Sequence, residues 1–513
     1  MTDVGDTFRQ NEMLLTGSSG FLGKVVLGML LDRYPRLKHV HLLLRPGPHA
    51  SASERFEKEV LESPALVSIA DRLGSKTLRS KVTVWDGDLG EENCGLRAAD
   101  VENLNGRVRL IINCAGKVDF FPPLDESFSS NVDGAEQVVA LAKRLGSKLV
   151  HVSTGFVSGE TDGLVEESEP IPGFYPRRRD ALDPSFHHRR EIEYVRQQLR
   201  LIDESAGGGK HSKESRERRI ALGRRRAEHW GWVNTYTYTK SLGEQIIASE
   251  GDLDWAIVRP AIVESALRFP FPGWIEGGRT AAPLVLMALG GMRHWPVRRN
   301  TPLEVVPVDL VAAAMLVVAA AVLRGRHERV YQLGTADTHP IRLGPLVDLL
   351  VRESQRRGRG NGGAGLAFRW FGPASPARIV TASEMRRRRE RFERRVRQIQ
   401  SLLDGMNRMA RTAGLPGRRS LFRLASKLRT IELQAKFREQ TLDQYLPFVL
   451  HNRYIFESAN IRAAYADITP RDRQLLPWDP ERINWREYWV DQQIEGIEKW
   501  VQPEAVRQWA FKI

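Results

Sequence analysis

Cysteine is nearly absent: Cys94 and Cys114 are the only two in 513 residues. Two thiols exclude a disulfide framework and any multi-cysteine metal site, so no metal centre is expected and a reducing cytoplasm is the natural compartment. The opening Met-Thr-Asp-Val-Gly-Asp lacks a basic segment followed by an apolar one, which reads against secretion. Long apolar runs are missing too. The longest, Leu310 to Leu323, is about 14 residues where a bilayer span needs roughly 20, so it reads as a buried helix.

What the chain does have is globular composition, 42% apolar and 27% charged, and enough length for two or three domains. Its charge is lopsided at +14. A surplus of that size suits polyanionic partners: nucleic acid, anionic lipid, or a ligand carrying several phosphates.

Short apolar runs alternate with helical patterns. Glu12–Thr16, His39–Leu44, Lys81–Trp85, Arg109–Asn113, Lys148–Ser153 and Trp255–Arg259 read as strands, with helices over Phe21–Tyr34 and about Leu124–Leu145. That alternation predicts an α/β fold, a Rossmann-like doubly wound parallel sheet covered on both faces. Residues 170–232 break the rhythm as a basic, mainly helical insertion. We read 1–355 as the domain that carries this sheet, 356–380 as an Arg/Gly-rich linker, and 381–513 as a basic helical segment leading into a helical C-terminal domain.

The chemistry begins at Thr16-Gly17-Ser-Ser-Gly20-Phe-Leu-Gly23, between the first strand and the first helix. Gly17 permits a tight turn, Gly20 lets the backbone approach a pyrophosphate, and Gly23 allows helix to pack on strand. Thr16, Ser19, Phe21 and Leu22 complete that phosphate turn. At the end of the second strand an acidic residue would select NAD, whereas Arg45 suits a 2′-phosphate, and Arg55 adds a second positive charge; NADPH is the expected cofactor. Asp88, followed by Leu89, is placed to accept from the adenine amino group. Asn113, Ala115 and Gly116 end the fourth strand with small residues that let the cofactor pass near the backbone, and Asn131 is expected to order that backbone. Cys114 is read as packing.

Ser153 and Thr154 end the fifth strand, and Thr154 is the expected hydrogen-bond donor to a substrate carbonyl. Tyr236 and Lys240 lie four apart on a helix and so share a face. Tyr236 would protonate a nascent alkoxide, while Lys240 would lower its pKa and hold the nicotinamide ribose. Tyr238 faces the other way and is expected to pack.

These residues resemble the extended short-chain dehydrogenases/reductases. More narrowly, His151-Val-Ser-Thr-Gly-Phe156, Asn234-Thr-Tyr-Thr-Tyr-Thr-Lys240, Ile257-Val-Arg-Pro-Ala-Ile-Val263 and Pro270-Phe-Pro-Gly-Trp-Ile-Glu276 resemble the fatty acyl-CoA reductases. Tyr454–Ile468, Pro470-Arg-Asp472 and Ile483-Asn-Trp485-Arg-Glu-Tyr488 are similar to that family's C-terminal region, and the basic insertion to its bacterial alcohol-forming members. The resemblance implies NADPH-dependent reduction of a long-chain acyl-CoA to aldehyde and then to primary alcohol. It places Thr154, Tyr236 and Lys240 at the catalytic positions, and Pro260 and Ile262 beside the cofactor. A thiohemiacetal can expel thiolate unaided, so no enzyme nucleophile is required.

The arginine run Arg386–Arg397 has three readings: a solvated helix face, a peripheral contact with an anionic membrane, or a site for CoA phosphates. Phe392, Val396, Ile399, Leu402 and Leu403 recur near helical spacing, so the segment is amphipathic. No nucleic-acid-binding module is recognisable, and the sequence carries no signal for an oligomeric state. Two rival functions use parts of the same equipment. Sugar-nucleotide epimerases and dehydratases share the Tyr/Lys pair but hold NAD, against Arg45. Sensors of NADP(H) have no need of the pair. A two-electron reductase that releases aldehyde is the alternative within the main reading.

Overall fold

Each of the six apolar runs forms a strand in the computed structural model, which describes residues 1–168, 171–180, 182–205, 212–278, 280–289, 292–360, 377–412 and 418–501. The strands are β1 (Glu12–Thr16), β2 (His39–Leu44), β3 (Val82–Asp86), β4 (Val108–Asn113), β5 (Lys148–Val152) and β6 (Trp255–Pro260). A seventh, β7 (Val330–Leu333), was not evident in the sequence. It is only four residues long, carries a buried Gln332, and follows a charged stretch, so no apolar run advertises it. The sheet order is β7-β6-β5-β4-β1-β2-β3, parallel throughout. This is the doubly wound order with one strand added, and its topological switch lies between β1 and β4.

Helix α1 (Phe21–Arg33) follows the glycine turn. The helix expected over residues 124–145 is continuous but includes a wider turn at Ser129–Asp133, before α2 (Gly134–Leu145). The insertion supplies α3 (His188–Ser205) and α4 (Lys213–Trp230), and α5 (Thr235–Ala248) carries Tyr236 and Lys240. The Ala/Val-rich run is α6 (Val308–Arg324), buried from Val308 to Val322 and packed on α1. No helix among the described residues is long and apolar enough to cross a membrane.

The chain packs as two compact units whose segments interleave. The first holds the sheet and consists of the described residues of Met1–Thr280, Glu304–Pro340 and Tyr454–Gly496; the second takes those of Ala281–Leu303 and Ile341–Arg453, with residues 497–501. Residues 454–496 therefore join the sheet unit rather than standing apart with the arginine-rich segment. The Glu304 carboxylate accepts from the Phe456 N–H at 2.6 Å, and the Tyr488 hydroxyl donates to the Ser265 carbonyl at 2.8 Å. In the second unit α7 (Ala382–Thr412) and α8 (Arg418–Leu446) form an antiparallel hairpin. Within the expected linker, residues 356–360 end a helix begun at Leu343, Arg378–Ile379 is a short strand, and 361–376 lie outside the described residues.

Candidate active site

The glycine turn is built as its spacing requires. Gly17 has φ +71°, and a Cβ there would lie 2.7 Å from the Ala115 backbone nitrogen. A Cβ on Gly23 would lie 2.1 Å from the Gly17 carbonyl oxygen, so helix and turn touch at that position. Gly20 differs: a Cβ there would meet only the Gly17 oxygen, at 3.4 Å, and the residue is exposed. Its open side is where a ligand can approach. Gly20 is also the N-cap of α1 without a side-chain cap, leaving first-turn N–H groups directed outward. Ser19, Phe21 and Leu22 are partly exposed along the same turn, and the Ser18 hydroxyl is buried without a partner. An uncapped positive helix end beside an open glycine fits a dinucleotide pyrophosphate.

At the edge of β2 and β3, the exposed Arg45 guanidinium stands 3.6 Å from the Asp88 carboxylate. Arg55 is committed elsewhere: it pairs with Glu59 at 2.7 Å and donates to the Arg45 carbonyl. Leu89 sits behind Asp88, against Gly134 of α2.

The strand ends align Thr16, Asn113 and His151 as cross-strand neighbours. The Thr16 hydroxyl donates to Asn113 Oδ1 at 2.6 Å, Asn113 Nδ2 lies 3.0 Å from His151 Nδ1, and His151 Nε2 lies 3.4 Å from Lys240 Nζ. A row of buried polar side chains thus runs along the sheet's carboxyl rim to the lysine. Burial, with Lys240 beside it, holds the His151 imidazole well below its usual range and so neutral. The part His151 plays in this row was not foreseen; its position at the strand end, two residues before Ser153, was the available signal. Asn131 brackets Lys117, accepting from its N–H at 3.0 Å and donating to its carbonyl at 3.1 Å, next to Gly116.

Thr154 and Tyr236 come together. The Thr154 hydroxyl donates to the Pro260 carbonyl at 3.4 Å and lies near enough to the Tyr236 hydroxyl to favour its ionisation. Ile262 follows in a short strand, its N–H on the Glu304 carbonyl at 3.0 Å. Burial pushes the Tyr236 phenol up to about 12, with the Thr154 hydroxyl opposing. Lys240 does not contribute to that shift. Its ammonium donates to the Val152 carbonyl at 2.5 Å, and burial brings it down to about 8. The expected lowering of the tyrosine by the lysine is therefore not seen, because the lysine points at the strand end. Cys114 is a poor nucleophile, since burial raises its thiol to about 12.

Two ion pairs hold α5 in place. Arg259 of β6 forks onto Glu244 of α5 at 3.0 and 2.6 Å, both side chains almost fully buried. On the other side, the Tyr238 hydroxyl donates to Glu191 of α3 at 2.5 Å, and Arg226 of α4 grips the same carboxylate at 2.8 and 2.6 Å. Tyr238 thus packs as expected and fastens the insertion to α5. The wall beyond Thr154 comes from the tail. Phe456 lies so close that a Cβ on Gly155 would be 2.6 Å from its ring, and Phe156 meets Tyr454 and Phe456 edge-on at 4.9 and 5.2 Å.

The parallel sheet, glycine turn and hydroxyl pair at the strand ends define a reductase of the short-chain dehydrogenase/reductase type, an oxidoreductase built around a nicotinamide cofactor. The fold is shared with the reductase domain of a non-ribosomal peptide synthetase from Mycobacterium tuberculosis (18% identity, TM-score 0.51, covering 96% of this chain and 95% of that one). The terminal reductase domain of the myxalamid pathway is similar in fold (17% identity, TM-score 0.50, covering 88% and 84%). Residues 15–315 match the family model described as male sterility protein. The chain is 31% identical to the alcohol-forming fatty acyl-CoA reductase of Simmondsia chinensis, covering 66% of this chain and 70% of that one. It is 29% identical to "Probable fatty acyl-CoA reductase 4" of Arabidopsis thaliana, covering 94% and 96%. The chain belongs to the fatty acyl-CoA reductase family.

Proposed function

We propose that the protein reduces a long-chain acyl-CoA thioester with NADPH, first to the aldehyde and then to the primary alcohol. The observation that carries this reading is the Thr154–Tyr236 hydroxyl pair at the carboxyl end of β5, across from the glycine turn, in a chain aligned nearly end to end with fatty acyl-CoA reductases. When bound, NADPH supplies the hydride. The turn from Gly17 to Gly23 would hold its pyrophosphate, Arg45 its 2′-phosphate, Asp88 its adenine, and Lys240 the ribose beside the nicotinamide.

The substrate oxygen would sit between the two hydroxyls. Thr154 donates to it as charge develops, and Tyr236, a phenol at neutral pH because burial raises it to about 12, gives up its proton. The tetrahedral carbon then expels the CoA thiolate as its hydroxyl proton returns to the Tyr236 phenolate, so no thiol or serine nucleophile takes part, in keeping with the raised Cys114. The resulting aldehyde meets the same two hydroxyls in a second round.

The test is oxidation of NADPH with palmitoyl-CoA, with products identified by gas chromatography. Hexadecanol at two NADPH per thiol released is the expected result, and NADH should serve poorly. Aldehyde at one NADPH per thiol would limit the enzyme to two electrons; no oxidation with any acyl thioester would remove the reading.

A pH profile tests Lys240 separately. With its ammonium brought down to about 8, the charged form prevails below that pH and is lost above it. If the ammonium holds the ribose, kcat at saturating substrates should fall as pH rises through about 8. A flat profile to well above that point would separate the charge of Lys240 from turnover.

A further inference from the structure

Ten of the chain's fourteen net positive charges lie between Ala382 and Leu446, in the α7–α8 hairpin, rather than around the glycine turn or the Tyr236 helix. The same hairpin holds four of the eleven large apolar side chains left exposed among the described residues: Ile399, Leu402, Met406 and Leu433. Little of either concentration is spent in pairing the helices, where Arg389 of α7 meets Glu439 of α8 at 3.1 Å. They pack with Val396, Leu403, Ala435 and Leu442 buried, and the Gln400 amide donates to Glu432 at 2.7 Å across the pair.

The exposed residues are ordered along one face. Ile399, Leu402 and Met406 follow at spacings of three and four, on one side of α7, and are 44, 67 and 51% exposed. Continued toward the start of the helix, the same face carries Arg388, Arg391 and Arg395, all exposed. From Arg388 to Met406 the stripe runs about 27 Å at 1.5 Å per residue. Its distal half is aliphatic and its proximal half cationic, and α8 exposes a further leucine, Leu433.

We propose that this face docks on an anionic lipid bilayer, the aliphatic half entering the headgroup–acyl boundary and the arginines resting on lipid phosphates. Charge complementarity selects an anionic surface. The aliphatic residues select lipid over nucleic acid, since Ile399, Leu402 and Met406 offer a phosphate backbone nothing and a base no stacking platform. The inference goes beyond the acyl-CoA reading and draws on it only for its purpose, delivery of a substrate and release of a product that partition into membranes.

The test is co-sedimentation of the full chain, without substrate, with phosphatidylcholine vesicles containing or lacking phosphatidylglycerol. Binding is expected only with phosphatidylglycerol and should weaken with salt. Replacing Ile399, Leu402 and Met406 together by serine should lower partitioning at least about tenfold. Changing Arg388, Arg391 and Arg395 to glutamine should lower it by up to about a hundredfold, at roughly fivefold per charge. Both triple variants should oxidise NADPH with a short, water-soluble acyl-CoA like the parent, which also reports their folding. No vesicle binding by the parent, or undiminished binding by either variant, overturns the proposal. So does loss of self-association or of RNA binding in the serine variant with vesicle binding intact, because the stripe then serves another partner. Failure of the reductase assay alone would leave the docking result standing.

Discussion

Tyr236→Phe should lower kcat by roughly 10²- to 10⁴-fold, the usual contribution of a positioned general acid. NADPH affinity should stay within about twofold, because the hydroxyl contacts Thr154 and not the glycine turn. The comparison with Thr154→Val is informative. That change removes a hydrogen-bond donor and leaves the acid, so its loss should be smaller, and the fall near pH 8 assigned to Lys240 should remain. Stopped-flow measurement of hydride transfer from NADPH to an acyl-CoA, alongside cofactor titration by fluorescence, separates the two quantities. A phenylalanine variant with near-parental turnover would mean that the proton comes from elsewhere, and Tyr236 would lose its assigned role.

The second large effect concerns stability. Arg259→Leu removes one half of a bidentate pair in which Glu244 is 1% exposed and leaves that carboxylate buried without its cation. Losses of about 3–5 kcal/mol are typical when one partner of such a pair is deleted. The unfolding midpoint in urea should drop accordingly. The double change Arg259→Leu with Glu244→Leu should recover most of the loss, since two apolar side chains replace the pair without an orphaned charge. Recovery by a second substitution would locate the cost in desolvation rather than in lost packing.

Much of the fold was legible because burial on both faces of a parallel sheet forces continuous apolar runs, and six of them stood out between helical patterns. The glycine turn was legible for a related reason: Gly17 and Gly23 are dictated by contacts closer than a side chain permits. Thr154, Tyr236 and Lys240 could be placed because strand ends and helix faces are local features. What stayed hidden depends on tertiary placement. Nothing in residues 454–496 states that they return to the sheet, since their tie to Glu304 spans about 150 positions. The row from Thr16 to His151 exists only through cross-strand register, which a single sequence does not encode. Lys240's bond to the Val152 carbonyl, and Arg55's commitment to Glu59, are choices of side-chain direction among several that the helix spacing allows.

The Phe456 ring over Gly155 has a consequence for biogenesis. The ribosome delivers that ring about 300 residues after the glycine it covers, a lag of roughly 15–60 s at about 5–20 residues per second. Throughout that interval the sheet can assemble, yet Gly155 and Phe156 face solvent without their cover. The nascent reductase therefore passes through a long, sticky adolescence. It should depend on chaperones in the cell until the tail arrives, and a chain halted before Tyr454 would be expected to aggregate.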